Sequence, residues 1–131
     1  MANPANLALT AKAANAGIVQ PAGSTIDTDG TVPILAADLD GATDRLLLHV
    51  TNGDAANGLT VTIEHGDNPP AVRESLGNLA VTMAASGVAL IGPFDGSRFL
   101  QNDGTFRVAF ATIGGANATA TVRTYLLPKT V

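Results

Sequence analysis

In Leu59-Thr60-Val61-Thr62-Ile63-Glu64-His65 the apolar residues alternate with polar ones, the pattern of a strand buried on one face. Phe106-Arg107-Val108-Ala109-Phe110 repeats it with Arg107 outward, and Leu79, Val81 and Met83 do the same around Ala80 and Thr82. Arg45-Leu46-Leu47-Leu48-His49-Val50-Thr51 is apolar on both faces around Leu47, which suits a central strand or one whose outer face meets another subunit. Thr119 to Leu127, rich in Thr, Val and Tyr and closed by Pro128, reads as the last strand. The abundance of Thr favours sheet over helix, because branching at Cβ stiffens χ1 and suits the pleated surface.

Turn residues fall between these runs at short intervals. Asn52-Gly53-Asp54-Ala55-Ala56-Asn57-Gly58 joins two strands, and its two Asn/Gly pairs predict the positive backbone angles of a hairpin connection. Asn102-Asp103-Gly104 and Gly114-Gly115-Ala116-Asn117 turn the chain again. The rhythm predicts an all-β chain: a single-domain antiparallel β-sandwich or barrel of about eight strands.

Two stretches break the rhythm. Residues 66–78 carry the pair Pro69-Pro70 and predict a long loop, with one short helical turn over Ala71 to Leu76. Residues 1–23 are rich in Ala and Asn, with Leu7 and Leu9 as the main apolar anchors, and predict an extended N-terminal arm ahead of a β domain over 24–131.

A chain of 131 residues fits one domain, and at this size folding buries roughly two thirds of the surface that the unfolded chain exposes. With 46% apolar residues a core is within reach. Against 11 acidic residues stand 7 basic ones, a net charge of -4, so the positive field that holds phosphate backbones or anionic lipid is missing, and neither nucleic acid nor a membrane surface is an expected partner. There is no cysteine, hence no disulfide framework and no thiolate chemistry. The opening lacks a basic residue before its apolar ones, and Pro4, Asn6 and Thr10 interrupt any signal-peptide core, which predicts a chain made in the cytoplasm. The long uncharged run between Ser75 and Asp95 is broken by Gly77, Asn78, Gly87, Gly92 and Pro93 and does not predict a transmembrane span.

Catalytic chemistry finds little to stand on. Ser24, Ser75, Ser86 and Ser97 sit in no nucleophile elbow, and His49 and His65 read as surface or rim histidines of strands. Asp27-Thr28-Asp29-Gly30 and Asp38-Leu39-Asp40-Gly41 could aim alternate carboxylates at a hard cation. The second lacks the acidic and glycine positions of a calcium loop at Ala42, Thr43 and His49, and turn aspartates that bond their own backbone explain both fragments more simply. Gly114-Gly115 leads into no helix and no lysine, so it makes no phosphate cradle. With no Trp and one Tyr, Tyr125, a sugar-stacking platform is poorly supplied. Asn117-Ala118-Thr119 reads as a turn and a strand residue rather than a glycosylation site, and an isopeptide crosslink from Lys12 or Lys129 has only composition to recommend it. No enzyme activity, cofactor or metal is expected.

Four segments carry a resemblance. Met1-Ala2-Asn3-Pro4-Ala5-Asn6-Leu7-Ala8-Leu9-Thr10, Gly66-Asp67-Asn68-Pro69-Pro70-Ala71-Val72-Arg73, Gly92-Pro93-Phe94-Asp95-Gly96-Ser97-Arg98-Phe99 and Tyr125-Leu126-Leu127-Pro128-Lys129 resemble small virion proteins of tailed bacteriophages, above all the capsid decoration, or cement, proteins. The resemblance runs over most of the chain and rests on short segments without catalytic meaning, so no interface residue is carried over individually. It implies a small β domain, made in the host bacterial cytoplasm, that binds the major capsid protein on the outer surface of the assembled shell. It also implies attachment where three capsomers meet, as a homotrimer, with an N-terminal arm reaching along the shell. Many weakly held copies, coupled through the lattice, would then resist internal pressure together.

Two other functions stay open on the sequence: a head-to-tail connector or tail-surface component of the same virion, and a calcium-dependent or carbohydrate-binding β module. Position and composition nominate Leu7, Leu9 and Lys12 in the arm, and Asn68, Pro69, Pro70 and Arg73 in the long loop, as partner contacts. On the arm reading, residues 2 to 12 are dispensable for folding.

Overall fold

The computed structural model describes residues 3–7, 9–11, 17, 19–35, 39, 43–65, 78–94, 99, 101, 103–115 and 117–127. Their strands are β1 (Leu9–Ala11), β2 (Ser24–Ile26), β3 (Gly30–Ile34), β4 (Leu46–Asn52), β5 (Gly58–Ile63), β6 (Leu79–Met83), β7 (Val88–Ile91), β8 (Phe106–Ile113) and β9 (Ala120–Leu126), with a 3-10 turn over Thr43–Arg45. A five-stranded sheet has the order β1-β9-β4-β7, with β2 also on β9, and a four-stranded sheet has the order β3-β8-β5-β6. The predicted all-β sandwich is the observed architecture, and it is not closed into a barrel. Among the described residues parallel pairing enters only through β1, where Leu9 lies beside Thr124 and Ala11 beside Leu126. β2 continues along β9 in the antiparallel sense, from Ser24 beside Val122 to Ile26 beside Ala120.

From β2 onward the chain changes sheet at every connection except that between β5 and β6. With β1 set aside, β2-β9-β4-β7 faces β3-β8-β5-β6, which is the strand order of an eight-stranded jelly roll. The crossing corrects one local expectation. β4 and β5 lie in different sheets, so Asn52–Gly58 is not a hairpin, and neither Gly53 nor Gly58 has a positive φ. Gly58 is required for space instead, since a Cβ there would sit 2.8 Å from the Met83 carbonyl oxygen. Side chains shape the loop: the Asp54 carboxylate accepts from the N–H groups of Ala56 (2.8 Å) and Asn57 (3.1 Å). These bonds hold the Asp54 carboxyl below its ordinary pKa, the Ala56 N–H first among them. The other two turns keep their predicted chemistry, with Gly104 at φ 84° and Gly114 at φ 83°.

The period-two runs place the core as the pattern requires. Leu46, Leu48 and Val50 of β4, Leu59, Val61 and Ile63 of β5, Phe106, Val108 and Phe110 of β8, and Val122 of β9 are all buried between the sheets. β4 lies between β9 and β7, the central position that its two apolar faces suggested. At one end of the core Phe94 packs against Phe106 with ring centroids 4.8 Å apart, and Phe99 meets Phe94 edge-on at 5.6 Å and 81°.

One buried polar residue ties two connections together. Asn52, at the end of β4, donates from Nδ2 to the carbonyl oxygens of Asn57 (2.9 Å) and Ala84 (3.0 Å), and its Oδ1 accepts from the Asp54 N–H (3.0 Å). The amide is thereby satisfied, and it joins the β4–β5 crossing to the turn before β7. Asn52→Ala is expected to lower stability by about 2 kcal/mol, because it strands backbone groups at a partly buried corner. A denaturant titration read as a shifted midpoint with unchanged slope checks this.

The N-terminal segment is the main departure from expectation. Leu7 is 0% exposed and belongs to the core, and its N–H donates to the Pro33 carbonyl oxygen at 2.8 Å. Asn3 clamps the β2–β3 turn, its Oδ1 accepting from Asp27 N–H (2.9 Å) and Thr28 N–H (3.1 Å) while its Nδ2 donates to the Thr28 carbonyl (2.9 Å). The predicted arm is therefore part of the fold where it is described: Asn3 and Leu7 dock on β3 and the turn before it, and Leu9–Ala11 pairs with β9. The β3 edge is shaped for it: Pro33 sits on an edge strand where its missing N–H costs no ladder bond and its carbonyl faces the incoming segment.

Candidate functional site

The edges of the two sheets differ in how they are protected. β3 is covered by Leu7 and carries Pro33, and β1 and β2 together flank β9. β7 pairs with β4 on one side, and among the described residues nothing pairs with its other side. The hydrogen-bonding phase follows from Asn52 N–H donating to the Gly87 carbonyl oxygen at 2.8 Å, in register with His49 beside Leu90 and Thr51 beside Val88. Alternation then turns the backbone groups of Gly87, Ala89 and Ile91 toward β4, and those of Val88 and Leu90 outward.

The same two residues carry exposed apolar side chains, Val88 at 60% and Leu90 at 65% exposure. They stand on the outer face of the five-stranded sheet, where register places Leu90 beside His49 and His49 beside Arg123, and Val88 beside Thr51 and Thr51 beside Thr121. Leu47 and Tyr125 form the next row and are half-buried. The Arg123 Nε donates to the Pro21 carbonyl at 2.8 Å, which draws that cation toward the segment before β2 and away from β7. Nδ1 of His49 is buried without a hydrogen-bond partner. The result is an uncharged strand edge with an apolar rim, open where a further strand would add.

On the other sheet a cleft of about 400 Å³ is lined by Thr62, Glu64, His65, Asn78, Gln101 and Ala109. Backbone capping shapes it: Asn78 Oδ1 accepts from His65 N–H (2.8 Å) and Gln101 Nε2 donates to the His65 carbonyl (2.9 Å). Glu64 accepts from the Thr31 hydroxyl at 2.8 Å. Among the described residues that line it there is no Phe, Tyr or Trp to stack on a sugar.

Asp29 does not bond its own turn as expected: its Oδ1 accepts from the N–H groups of Thr112 in β8 (3.1 Å) and of Ala118 (2.8 Å), so it ties the β2–β3 turn to β8 and to the segment before β9. Asp38 and Asp40 lie outside the described residues, among which no group of His, Cys, Asp and Glu converges as metal ligands. Among them, too, no helix is long and apolar enough to cross a membrane.

Of the nominated contacts, Leu7 is spent on the core, which takes it out of any partner surface, and Leu9 packs partly buried against the same core from β1. Lys12, Asn68, Pro69, Pro70 and Arg73, like the predicted helical turn over Ala71 to Leu76, lie outside the described residues. The β7 edge was not nominated from the sequence. Val88-Ala89-Leu90-Ile91 is apolar at every position, and such a run reads equally well as a strand buried on both faces. Comparison with protein-family models, with curated proteins and with solved structures finds no match to this chain.

Proposed function

We propose that this chain is a non-enzymatic virion structural protein that attaches to the outer surface of an assembled phage capsid, binds its major capsid protein, and strengthens contacts between capsomers. The observation that carries the reading is the open, uncharged β7 edge with Val88 and Leu90 exposed beside it, a surface suited to a protein partner. The four segments that resemble decoration proteins support it, as does the jelly-roll order, an architecture that capsid proteins use among many others.

On this reading the copies attach as homotrimers where three capsomers meet, and the work done is mechanical. Each copy adds a small contact area, and the lattice sums many such areas into resistance against expansion. Co-sedimentation with empty expanded capsids of the source virus tests it. Saturation at a fixed ratio to capsid protein is the expected result, and at saturation the shells should disassemble at a higher temperature than bare shells.

A further inference from the structure

We infer that the cleft on the four-stranded sheet is a binding site for a guanidinium group, the end of an arginine side chain presented by a protein partner. The inference concerns the sheet opposite β7 and does not rest on the capsid reading.

The cleft owes its depth to small residues. Alternation from buried Ile63 turns Thr62 and Glu64 to the outer face, and register sets Thr62 between Ala109 of β8 and Ala80 of β6, with Thr31 of β3 beyond Ala109. Ala109 carries only a methyl group, so the Glu64 side chain reaches over β8 to accept from the Thr31 hydroxyl at 2.8 Å. That bond fixes the carboxylate at the wall of the cleft through Oε2, and among the described residues it leaves Oε1 for a second donor.

The rest of the wall is set before any ligand arrives. Gln101 is only 6% exposed, and its Nε2 donates to the His65 carbonyl at 2.9 Å, while the Asn78 Oδ1 accepts from the His65 N–H at 2.8 Å. The His65 backbone is thus gripped on both sides, which holds the strand end that carries Glu64 and lowers the ordering cost of binding. Thr62 adds a hydroxyl acceptor.

Charge selects the occupant. Glu64 carries the one formal charge at pH 7 among the described lining residues, and among the described residues no cation lies within ion-pair distance of it. Its neighbour Arg107, whose carbonyl accepts from the Glu64 N–H at 3.1 Å, turns its own guanidinium to Asp103 at 3.4 Å. A half-buried carboxylate without a counter-ion in a polar cleft is a place for a cation, and the net charge of -4 draws cations toward it. A guanidinium suits it better than an ammonium, being planar, more weakly hydrated and supplied with several fixed donors for the carboxylate and the Thr62 hydroxyl. A volume of about 400 Å³ is at the small end of ligand pockets, which matches one side chain rather than a larger compound, and the aliphatic stem can lie on the Ala109 methyl.

One carboxylate in an open cleft binds weakly, with half-saturation on the order of a few millimolar. The probes are N-acetyl-arginine N′-methylamide, its citrulline counterpart, which keeps the shape and drops the charge, and its lysine counterpart. Each is titrated to about 20 mM into the intact chain and read from backbone and side-chain amide NMR shifts. The arginine compound is expected to move the amides of Glu64, His65 and Asn78 and the side-chain amide of Gln101 saturably, with the other two roughly fivefold weaker or more. Glu64→Gln keeps an oxygen for the Thr31 hydroxyl, so the thermal midpoint should stay near that of the parent chain while affinity for the arginine compound falls by roughly fivefold or more. Added salt should weaken the binding. Arginine-induced shifts that do not saturate, a citrulline compound that binds as tightly, or binding that survives Glu64→Gln overturns the proposal. So does a lysine compound that equals arginine, which would make the cleft a general cation site.

Discussion

Phe106→Ala is expected to be the most damaging single truncation in the described core, lowering stability by about 3–5 kcal/mol. Phe106 opens β8, is wholly buried, and holds the ring of Phe94 at 4.8 Å and that of Phe99 at 6.4 Å. Its backbone pairs with Ile34 of β3, so the ring sits where an edge strand of one sheet meets the segment that follows β7. Removing it deletes apolar burial and leaves a void bounded by two other rings, neither of which can move in without abandoning its own partner. A domain of this size has a total stability on the order of 5–15 kcal/mol, so the variant should sit close to its unfolding midpoint at ambient temperature. Urea titration with far-ultraviolet dichroism as the readout measures it. A loss below about 1 kcal/mol would mean that the aromatic cluster packs differently from the arrangement described.

Leu7→Ala ranks next, at about 2–5 kcal/mol, and it bears on how the N-terminal segment is understood. On the sequence, residues 1–23 predict an arm whose loss spares the fold. In the structure Leu7 is one of the largest fully buried side chains, and Asn3 supplies a three-bond clamp to the turn after β2. Deleting residues 2 to 12 would remove both, together with β1, and is expected to destabilise the domain by more than Leu7→Ala alone. Leu9→Ala, at a partly buried position against the core, should cost less than Leu7→Ala. Parallel urea titrations of the substitution and the deletion check the ordering. A deletion variant with the midpoint of the parent chain would restore the arm reading and contradict the docking of Leu7.

The reason the sequence misjudged this segment is physical. β1 and β2 span three residues each, Leu9–Ala11 and Ser24–Ile26, too few for a period-two pattern to stand out from composition. The longer strands were legible: β5 and β8 carry enough alternations for one face to declare itself, β4 is a long apolar run, and β9 is rich in strand-forming residues. Which sheet a strand joins was not. Asn52–Gly58 has the composition of a hairpin turn, yet the crossing to the other sheet is set by the buried Asn52 amide and the Asp54 carboxylate, interactions that reach across the corner to Ala84 and along the loop.

The sequence did not locate the candidate site; the scarcity of catalytic groups led only to the expectation of surface contact rather than chemistry. The position at β7 was not available from the pattern, because exposure of Val88 and Leu90 follows from β7 being at an edge, a property of the strand order. The same uniform apolarity in Leu46-Leu47-Leu48 belongs to a strand with neighbours on both sides, β9 and β7. Two runs of similar composition thus end in opposite situations, and only long-range pairing separates them.

The proposed attachment to an assembled shell is read out by co-sedimentation of the purified chain with empty expanded capsids of its source virus, run beside unassembled capsid protein. Saturable binding to the shells at a fixed ratio to capsid protein is the expected result, in multiples of three copies per attachment site, with weaker retention by unassembled subunits. Shells that sediment without the chain at every concentration would contradict it, and would direct the same assay to connector and tail rings.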